Sequence, residues 1–248
     1  MNDTLQDLLA ALRFFTRLPL PEDSGEGKPL ATAATGFPFA GFVVGALAAL
    51  VWAISATILP ALPAAGLAIA AGLLVTGALH EDGLSDCADG LGGGTTRQRA
   101  LEIMRDSRIG AFGAAALIMT IGLRWASLAE LTMIGGVLAL LTAHTVSRAA
   151  ILPALVYSSY ARKEGLASTV AGGIHSSQLF ITIVISLLLA LLFGGLVGLA
   201  AASVAFALAF AFLKYLEARL GGYTGDGLGA MQQIAEISVM LFFCAAWT

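Results

Sequence analysis

Charge is scarce in this chain. Asp, Glu, Lys and Arg together make up 12% of its 248 residues, about half the share found in soluble domains. Hydrophobic residues reach 58%, and the mean hydropathy is +0.88. That balance excludes an ordinary water-soluble domain and points to an all-α, polytopic integral membrane protein. Cysteine is scarce too. Cys87 and Cys244 lie far apart, without CxxC or Cys/His spacing, so neither a disulfide framework nor a zinc site is indicated. Cys87 sits among carboxylates, which raise a thiol pKa, and reads as a small packing residue. No basic patch interleaved with aromatics is present, so nucleic acid is not an expected partner. The GKS/GKT of a Walker motif is absent. The uninterrupted apolar core of a signal peptide is missing as well, because Asp7, Arg13 and Arg17 break the N-terminal run.

What the N-terminus does have is Leu5, Leu8, Leu9, Leu12 and Phe15 at the spacing of one helical face. This predicts an interfacial amphipathic helix that ends before Pro19 and Pro21. Long apolar runs follow at 36–58, 63–79, 110–128, 132–156 and 230–247. A further run, 178–218, is too long for one crossing at about 20 residues each. Gly194, Gly195 and Gly198 mark its expected turn. About seven transmembrane helices in one domain, 1–248, are expected. Polar loops fall at 21–35, 80–109, 157–177 and 219–229.

With a cytoplasmic N-terminus, Arg13, Arg17, Lys28, Arg97, Arg99, Arg105, Arg108, Arg162, Lys163, Lys214 and Arg219 gather on the inside. Only Arg124 falls outside. The positive-inside rule therefore turns every sizeable polar loop toward the cytoplasm. The chain reads as a multi-pass protein of a bacterial cytoplasmic (inner) membrane that works at its cytoplasmic face.

The charge that exists is concentrated. Six of the 16 acidic residues and four of the 13 basic ones lie between His80 and Arg108. Asp82, Asp86 and Asp89 stand at i, i+4 and i+7, which puts them on one helical face within about 60° of each other. His80 and Glu81 fall on other faces. Hard oxygen ligands on one stripe suit Mg²⁺, which takes one or two carboxylates plus substrate phosphates. A solvated acidic loop, with its repulsion screened by water, is the alternative. Gly90, Gly92, Gly93 and Gly94 permit close approach of backbone to a phosphate, or form a flexible turn. Arg105 and Arg108 offer guanidiniums suited to bidentate phosphate contacts, and they also serve the topology. Asp226 leads into a span that opens with Gln232, Gln233 and Glu236. An ionisable group in a span is a functional candidate by default. His144 and Arg148, at i and i+4 of another span, are its candidate neighbours or contacts for a substrate anion.

These residues carry a family likeness. His80-Glu81-Asp82-Gly83-Leu84-Ser85-Asp86-Cys87-Ala88-Asp89-Gly90 resembles the H-x-D-G-L-x-D-x-x-D-G stretch of the cobalamin synthase family, adenosylcobinamide-GDP ribazoletransferase. The run from Ile103 through Arg105, Asp106, Ser107 and Arg108 to Gly113 resembles that family's I-M-K/R-D-S-R-x-G-x-F-G. Residues 11–19, the Gly-Tyr-Thr-Gly-Asp of 222–226 and Gln232-Gln233 extend the likeness. The resemblance implies that an acceptor alcohol, α-ribazole or its 5′-phosphate, is joined to adenosylcobinamide-GDP with release of GMP. It implies a Mg²⁺ requirement. Asp82, Asp86 and Asp89 would hold the ion and the diphosphate. Arg105 and Arg108, with Ser107, Gly92 and Gly93 beside them, would grip phosphate oxygens. Asp106 or Asp226 would complete the metal shell or accept the nucleophile's proton. Arg148, Gln233 and Glu236 are further candidates for substrate contact. The lipid bilayer is an expected partner. Other enzymes of nucleotide-loop assembly, and a second copy of the chain, are candidate partners.

Two other membrane enzymes set aspartates and Mg²⁺ at the ends of spans. A CDP-alcohol phosphotransferase would show D-G-x-x-A-R followed by G-x-x-x-D-x-x-x-D. A prenyltransferase would show a second aspartate-rich repeat. A secondary transporter would use Glu236, His144 and Arg148 as a coupling site near the midplane.

Overall fold

The computed structural model describes residues 3–20, 30–162 and 174–248. Most of the 21–35 loop, with Lys28, lies outside the described residues, as do Lys163 and Glu164 of the 157–177 loop. Among the described residues the chain is all α, and its only β feature is an isolated bridge between Tyr160 and Tyr223. Helix α1 (Asp3–Phe15) ends before Pro19 and turns Ala11, Leu12 and Phe15 inward while Leu5 stays exposed. It leans on a 3-10 segment, Leu30–Gly36, and on α2 (Phe37–Ser55), where Phe15 meets the Phe37 ring edge-on at 4.8 Å. Pro38 sits in the first turn of α2, where its missing N–H has no helical partner to lose.

Helix α3 (Ala61–Thr76) closes on Gly77 and Ala78, both left-handed with φ of 64° and 55°. These two residues turn the chain by 89° into α4 (Leu79–Gly93). Helix α4 therefore leaves the axis of α3 at a sharp bend. The expected polar stretch 80–109 is built from helices, α4 and then α5 (Arg97–Ile103), whose Thr96 hydroxyl accepts from the Arg99 N–H at 3.2 Å. Next come α6 (Ala111–Glu130), α7 (Met133–Ala149) and a short α8 (Leu152–Tyr157). Helix α9 (Ser176–Leu220) would be about 68 Å long if straight, over twice the hydrocarbon core. It is broken at Gly195, with φ 58° and ψ −144°. Leu179 and Ile183 before the break line one cavity with Phe206 and Phe210 after it, so the two arms run back beside each other. The expected turn lies there. Helix α10 (Gly225–Trp247) closes the chain.

Five helical stretches are long and apolar enough to cross a membrane, or six if α3 and α4 form one bent span. Leu74, Ile118, Leu192 and Leu196 stand exposed, as lipid-facing residues do. Helix packing relies on small residues, as membrane interfaces do. A Cβ at Gly41 of α2 would collide with the His144 carbonyl of α7.

Candidate active site

The crossing of α4 over α10 brings the predicted aspartates together. A Cβ at Gly83 would sit 3.1 Å from the Asp226 Cα, and one at Gly229 would sit 3.1 Å from the Gly83 Cα. A larger residue at either position would push the two backbones apart by a few tenths of an ångström. Asp82 on α4 and Asp226 in the first turn of α10 consequently line the same cavity. The Thr224 hydroxyl caps α10 by accepting from the Gly227 N–H at 2.9 Å. The Tyr160–Tyr223 bridge pins the chain after α8 to this corner: the Ala161 N–H donates to the Tyr223 carbonyl at 2.8 Å, and the Tyr223 N–H to the Ser159 carbonyl at 3.0 Å. Arg162 is thereby carried to Asp226 and donates to its carboxylate at 2.6 Å.

Asp86 lies one turn further along α4. Burial pushes its carboxyl up to about 6, and the charges of Asp82 and Asp226 add to that shift while Arg162 opposes it. Three carboxylates thus crowd one corner with one guanidinium among them. Burial, with Asp226 next, also raises the Cys87 thiol, in keeping with a packing role. Among the described residues no three His, Cys, Asp or Glu side chains converge on one metal position. The donor set fits Mg²⁺ held by one or two carboxylates and completed by substrate phosphates, not a closed protein cage.

Asp89, the third residue of the stripe, is engaged elsewhere. Its carboxylate accepts from the Gly110 and Gly113 N–H groups at 2.7 and 2.9 Å, at the start of α6. There it meets the unpaired donors and the positive end of that helix. Gly92 and Gly93 belong to the body of α4, so their N–H groups are committed to the helix and do not form a phosphate-cradling loop. A Cβ at Gly92 would strike the Phe112 ring at 2.6 Å, so the residue is small for packing. Asp106 and Arg108 pair in the exposed loop after α5, and hydrogen bonds from Arg108 hold Asp106 down at about 2. Neither they nor Ser107 line the cavity of Asp82 and Asp226. Arg105 faces a separate, open groove of about 610 Å³, which it shares with Arg97 and Arg162. Arg162 therefore stands between groove and cavity. Arg97 also donates to the Leu220 and Ala161 carbonyls at 2.5 and 3.0 Å, and Arg219 to the Gly94 carbonyl at 3.0 Å. These cations tie the C-terminal ends of α9 and α4 together.

Beneath the aspartates lies a buried charge network. Arg124 of α6 donates to Glu81 at 3.0 Å and to Glu236. Arg148 donates to Glu236 at 2.6 Å, and His144 lies 3.1 Å from the same carboxylate. Gln232 donates to Glu236 at 2.6 Å and Gln233 to Glu81 at 3.0 Å. His144 and Arg148 are thus the neighbours of Glu236. The remaining space is about 10 Å³, roughly one water probe. Arg148, Gln233 and Glu236 therefore face protein groups, and the expected substrate contacts there are replaced by internal pairs. Arg124 is not an outside topology marker, because it is buried against the N-terminal turn of α4.

Three residues outside the sequence-based selection matter here. Glu81 and Arg124 anchor α4, and Arg162 holds Asp226. For Arg124 the signal was present, as an ionisable residue inside an apolar run. Arg162 gave none, since its partner is 64 residues away.

Comparison with known proteins extends the likeness to the whole chain. A family model described as cobalamin-5-phosphate synthase matches residues 7–244. The adenosylcobinamide-GDP ribazoletransferase of Mesorhizobium japonicum is 43% identical, over 96% of this chain and 92% of that one. Its namesakes in Ralstonia nicotianae and Shewanella amazonensis are 41% and 39% identical, over 100% and 98% of this chain and 98% and 96% of theirs. No solved structure matches. From residue 7 to residue 244, the chain belongs to the cobalamin-5-phosphate synthase family.

Proposed function

We propose that this protein is an adenosylcobinamide-GDP ribazoletransferase, joining adenosylcobinamide-GDP to α-ribazole or its 5′-phosphate and releasing GMP. The observation that carries the reading is the meeting of Asp82 with Asp226 and Arg162 at one cavity, with Asp86 one turn along α4 and close enough to feel their charge. The acceptor hydroxyl oxygen bonds to the phosphorus that stays with the corrinoid. The bond from that phosphorus to the oxygen bridging toward guanosine breaks, and GMP leaves with the electron pair. The hydroxyl proton passes to a carboxylate, for which Asp226, steadied by Arg162, is well placed. Arg162 and Arg105 offer charge-assisted hydrogen bonds to phosphate oxygens.

Asp82 and Asp86 would hold Mg²⁺ together with the substrate's phosphates, and Asp226 lies close enough to feel their charge. An ion held by these residues would supply positive charge to offset that developing on the departing phosphate. The charges of Asp82 and Asp226, which add to the effect of burial on the Asp86 carboxyl, are the kind that a divalent cation would relieve. Asp89 supports the site indirectly by joining α4 to α6. We place the reaction at the cytoplasmic face of a bacterial inner membrane, on the distribution of Lys and Arg.

A secondary transporter is disfavoured because Glu236, His144 and Arg148 are paired with one another and leave no room for cargo. The test uses purified protein in lipid nanodiscs, given adenosylcobinamide-GDP and α-ribazole with Mg²⁺. GMP release that requires both substrates is expected. Flux of labelled substrate across sealed vesicles, with no GMP formed, would overturn the reading.

A further inference from the structure

The cavity that Asp82 and Asp226 border is deeper than phosphate chemistry needs. It encloses about 230 Å³ between α1, α4 and α10. Its lining joins charged groups, Asp82, Asp226 and Arg162, to apolar ones, Phe14, Phe15 and Leu228; Asp82 is exposed, which puts the mouth on its side, while Phe15 and Leu228 are buried. His80 lines the same space and stacks on Phe15, with ring centroids 5.6 Å apart and planes within 17°. The residue is only 4% exposed, yet neither ring nitrogen has a hydrogen-bond partner among the described residues. Such groups are rare in folded proteins and ask for an explanation. An imidazole offers one N–H and one lone pair in either tautomer, and here both are left for whatever enters.

We propose that this cavity seats the heteroaromatic ring of the acceptor nucleoside, with His80 as its hydrogen-bonding partner. The assignment rests on the transferase reading and adds to it which of the two substrates lies where. A flat bicyclic ring bearing a lone-pair nitrogen matches a cavity lined by the Phe14, Phe15 and Tyr160 rings and an unpaired imidazole. Its attached ribose then reaches the mouth, where the hydroxyl meets Asp226 and Asp82. At about 230 Å³ the cavity is smaller than the roughly 300 Å³ or more that drug-sized ligands occupy, so it takes a single ring system, with the sugar toward the mouth, and excludes a corrinoid macrocycle. The donor has its own place. The open groove beyond Arg162, with Arg97 and Arg105, suits a diphosphate. Arg162, common to both spaces, sits where the two substrates would meet.

The test is equilibrium binding to the full chain in nanodiscs, with α-ribazole and adenosylcobinamide-GDP titrated separately. His80→Ala is expected to weaken α-ribazole at least tenfold while donor affinity stays within twofold. Leu228→Phe, which fills the cavity from α10 and leaves His80 in place, should do the same. His80→Asn, which keeps a donor and an acceptor, should bind α-ribazole at least threefold tighter than His80→Ala. Retained donor binding shows that each variant is folded. Unchanged α-ribazole binding in both His80→Ala and Leu228→Phe, in a protein whose wild type releases GMP, overturns the cavity assignment alone. Equal loss of donor and acceptor binding also overturns it. A wild type that releases no GMP overturns the transferase reading and this assignment with it.

Discussion

Arg124 is the residue whose loss should be felt most. Its two terminal nitrogens reach carboxylates on different helices, Glu81 of α4 and Glu236 of α10, and all three side chains are at most 8% exposed. Arg124→Leu removes one cation and leaves two buried anions unequally provided for. Glu236 keeps Arg148, His144 and Gln232. Among the described residues Glu81 keeps only the Gln233 amide, at 3.0 Å. Breaking a buried ion pair from one side costs about 3–5 kcal/mol, a large share of a typical folding free energy of about 5–15 kcal/mol. Removing both partners, in Arg124→Leu with Glu81→Leu, leaves no orphan charge at that pair and should recover about 2–3 kcal/mol of the loss. Arg124→Lys should not rescue, because one ammonium does not reproduce a fork spanning two helices. Reversible unfolding in mixed micelles, followed by tryptophan fluorescence, measures all four proteins of the cycle. A loss below about 1 kcal/mol for Arg124→Leu, or strict additivity in the double variant, would show that the network does not hold α4 in place.

Further predictions separate structural from chemical carboxylates. Asp89→Ala removes two hydrogen bonds to the first turn of α6 and should destabilise by about 2 kcal/mol, read as a lowered midpoint; the exposed Asp82→Asn should stay within about 0.5 kcal/mol of wild type. Asp86, raised to about 6, is favoured in its neutral form in the folded protein. Its contribution to stability is therefore present below the unfolded carboxyl range and lost as pH rises toward 6. Mg²⁺ competes with that same proton, so apparent Mg²⁺ affinity measured by turnover should fall as pH drops from 7 to 5, and Asp86→Asn should flatten this dependence. Gly195→Ala meets no atom within 4 Å, so its whole cost is backbone strain at φ 58°, ψ −144°. That cost should be about 1–3 kcal/mol; Gly122→Ala, equally open but within a regular helix, should not destabilise.

Local patterns proved legible where the structure is local. The 3.6-residue period of α1 picked out Leu12 and Phe15, which turn inward, though Leu5 of the same face is exposed; the glycines at 194–198 marked the break of α9, because a left-handed backbone favours that residue. The Asp82 and Asp86 stripe followed from helical spacing. What failed was depth and partnership. Counting Arg124 as a loop cation treats charge as a topology signal and says nothing of burial. The glycines at 90–94 have the composition of a loop, yet helix packing against Phe112 and Ala100 requires the same residue. Asp89 has the right spacing for the stripe, but the start of α6, 21 residues on, provides its donors. Arg162 meets Asp226 through a two-residue bridge that no periodicity announces. His80 falls on another helical face than the Asp82 stripe by spacing alone, yet it lines the same cavity as Asp82 and Asp226 because α1 and α10 close around that end of α4.

The most direct test of the central claim is GMP release by Asp82→Asn, Asp86→Asn and Asp226→Asn. Each variant must first be shown to insert and to unfold like the wild type. At saturating adenosylcobinamide-GDP and α-ribazole, the account predicts losses of about 100-fold or more for Asp82→Asn and Asp86→Asn, in the range expected when charge stabilisation at a transferring phosphate is removed. Asp226→Asn should lower the rate and shift its pH dependence. Normal turnover with normal Mg²⁺ dependence in the Asp82 and Asp86 variants would contradict the account.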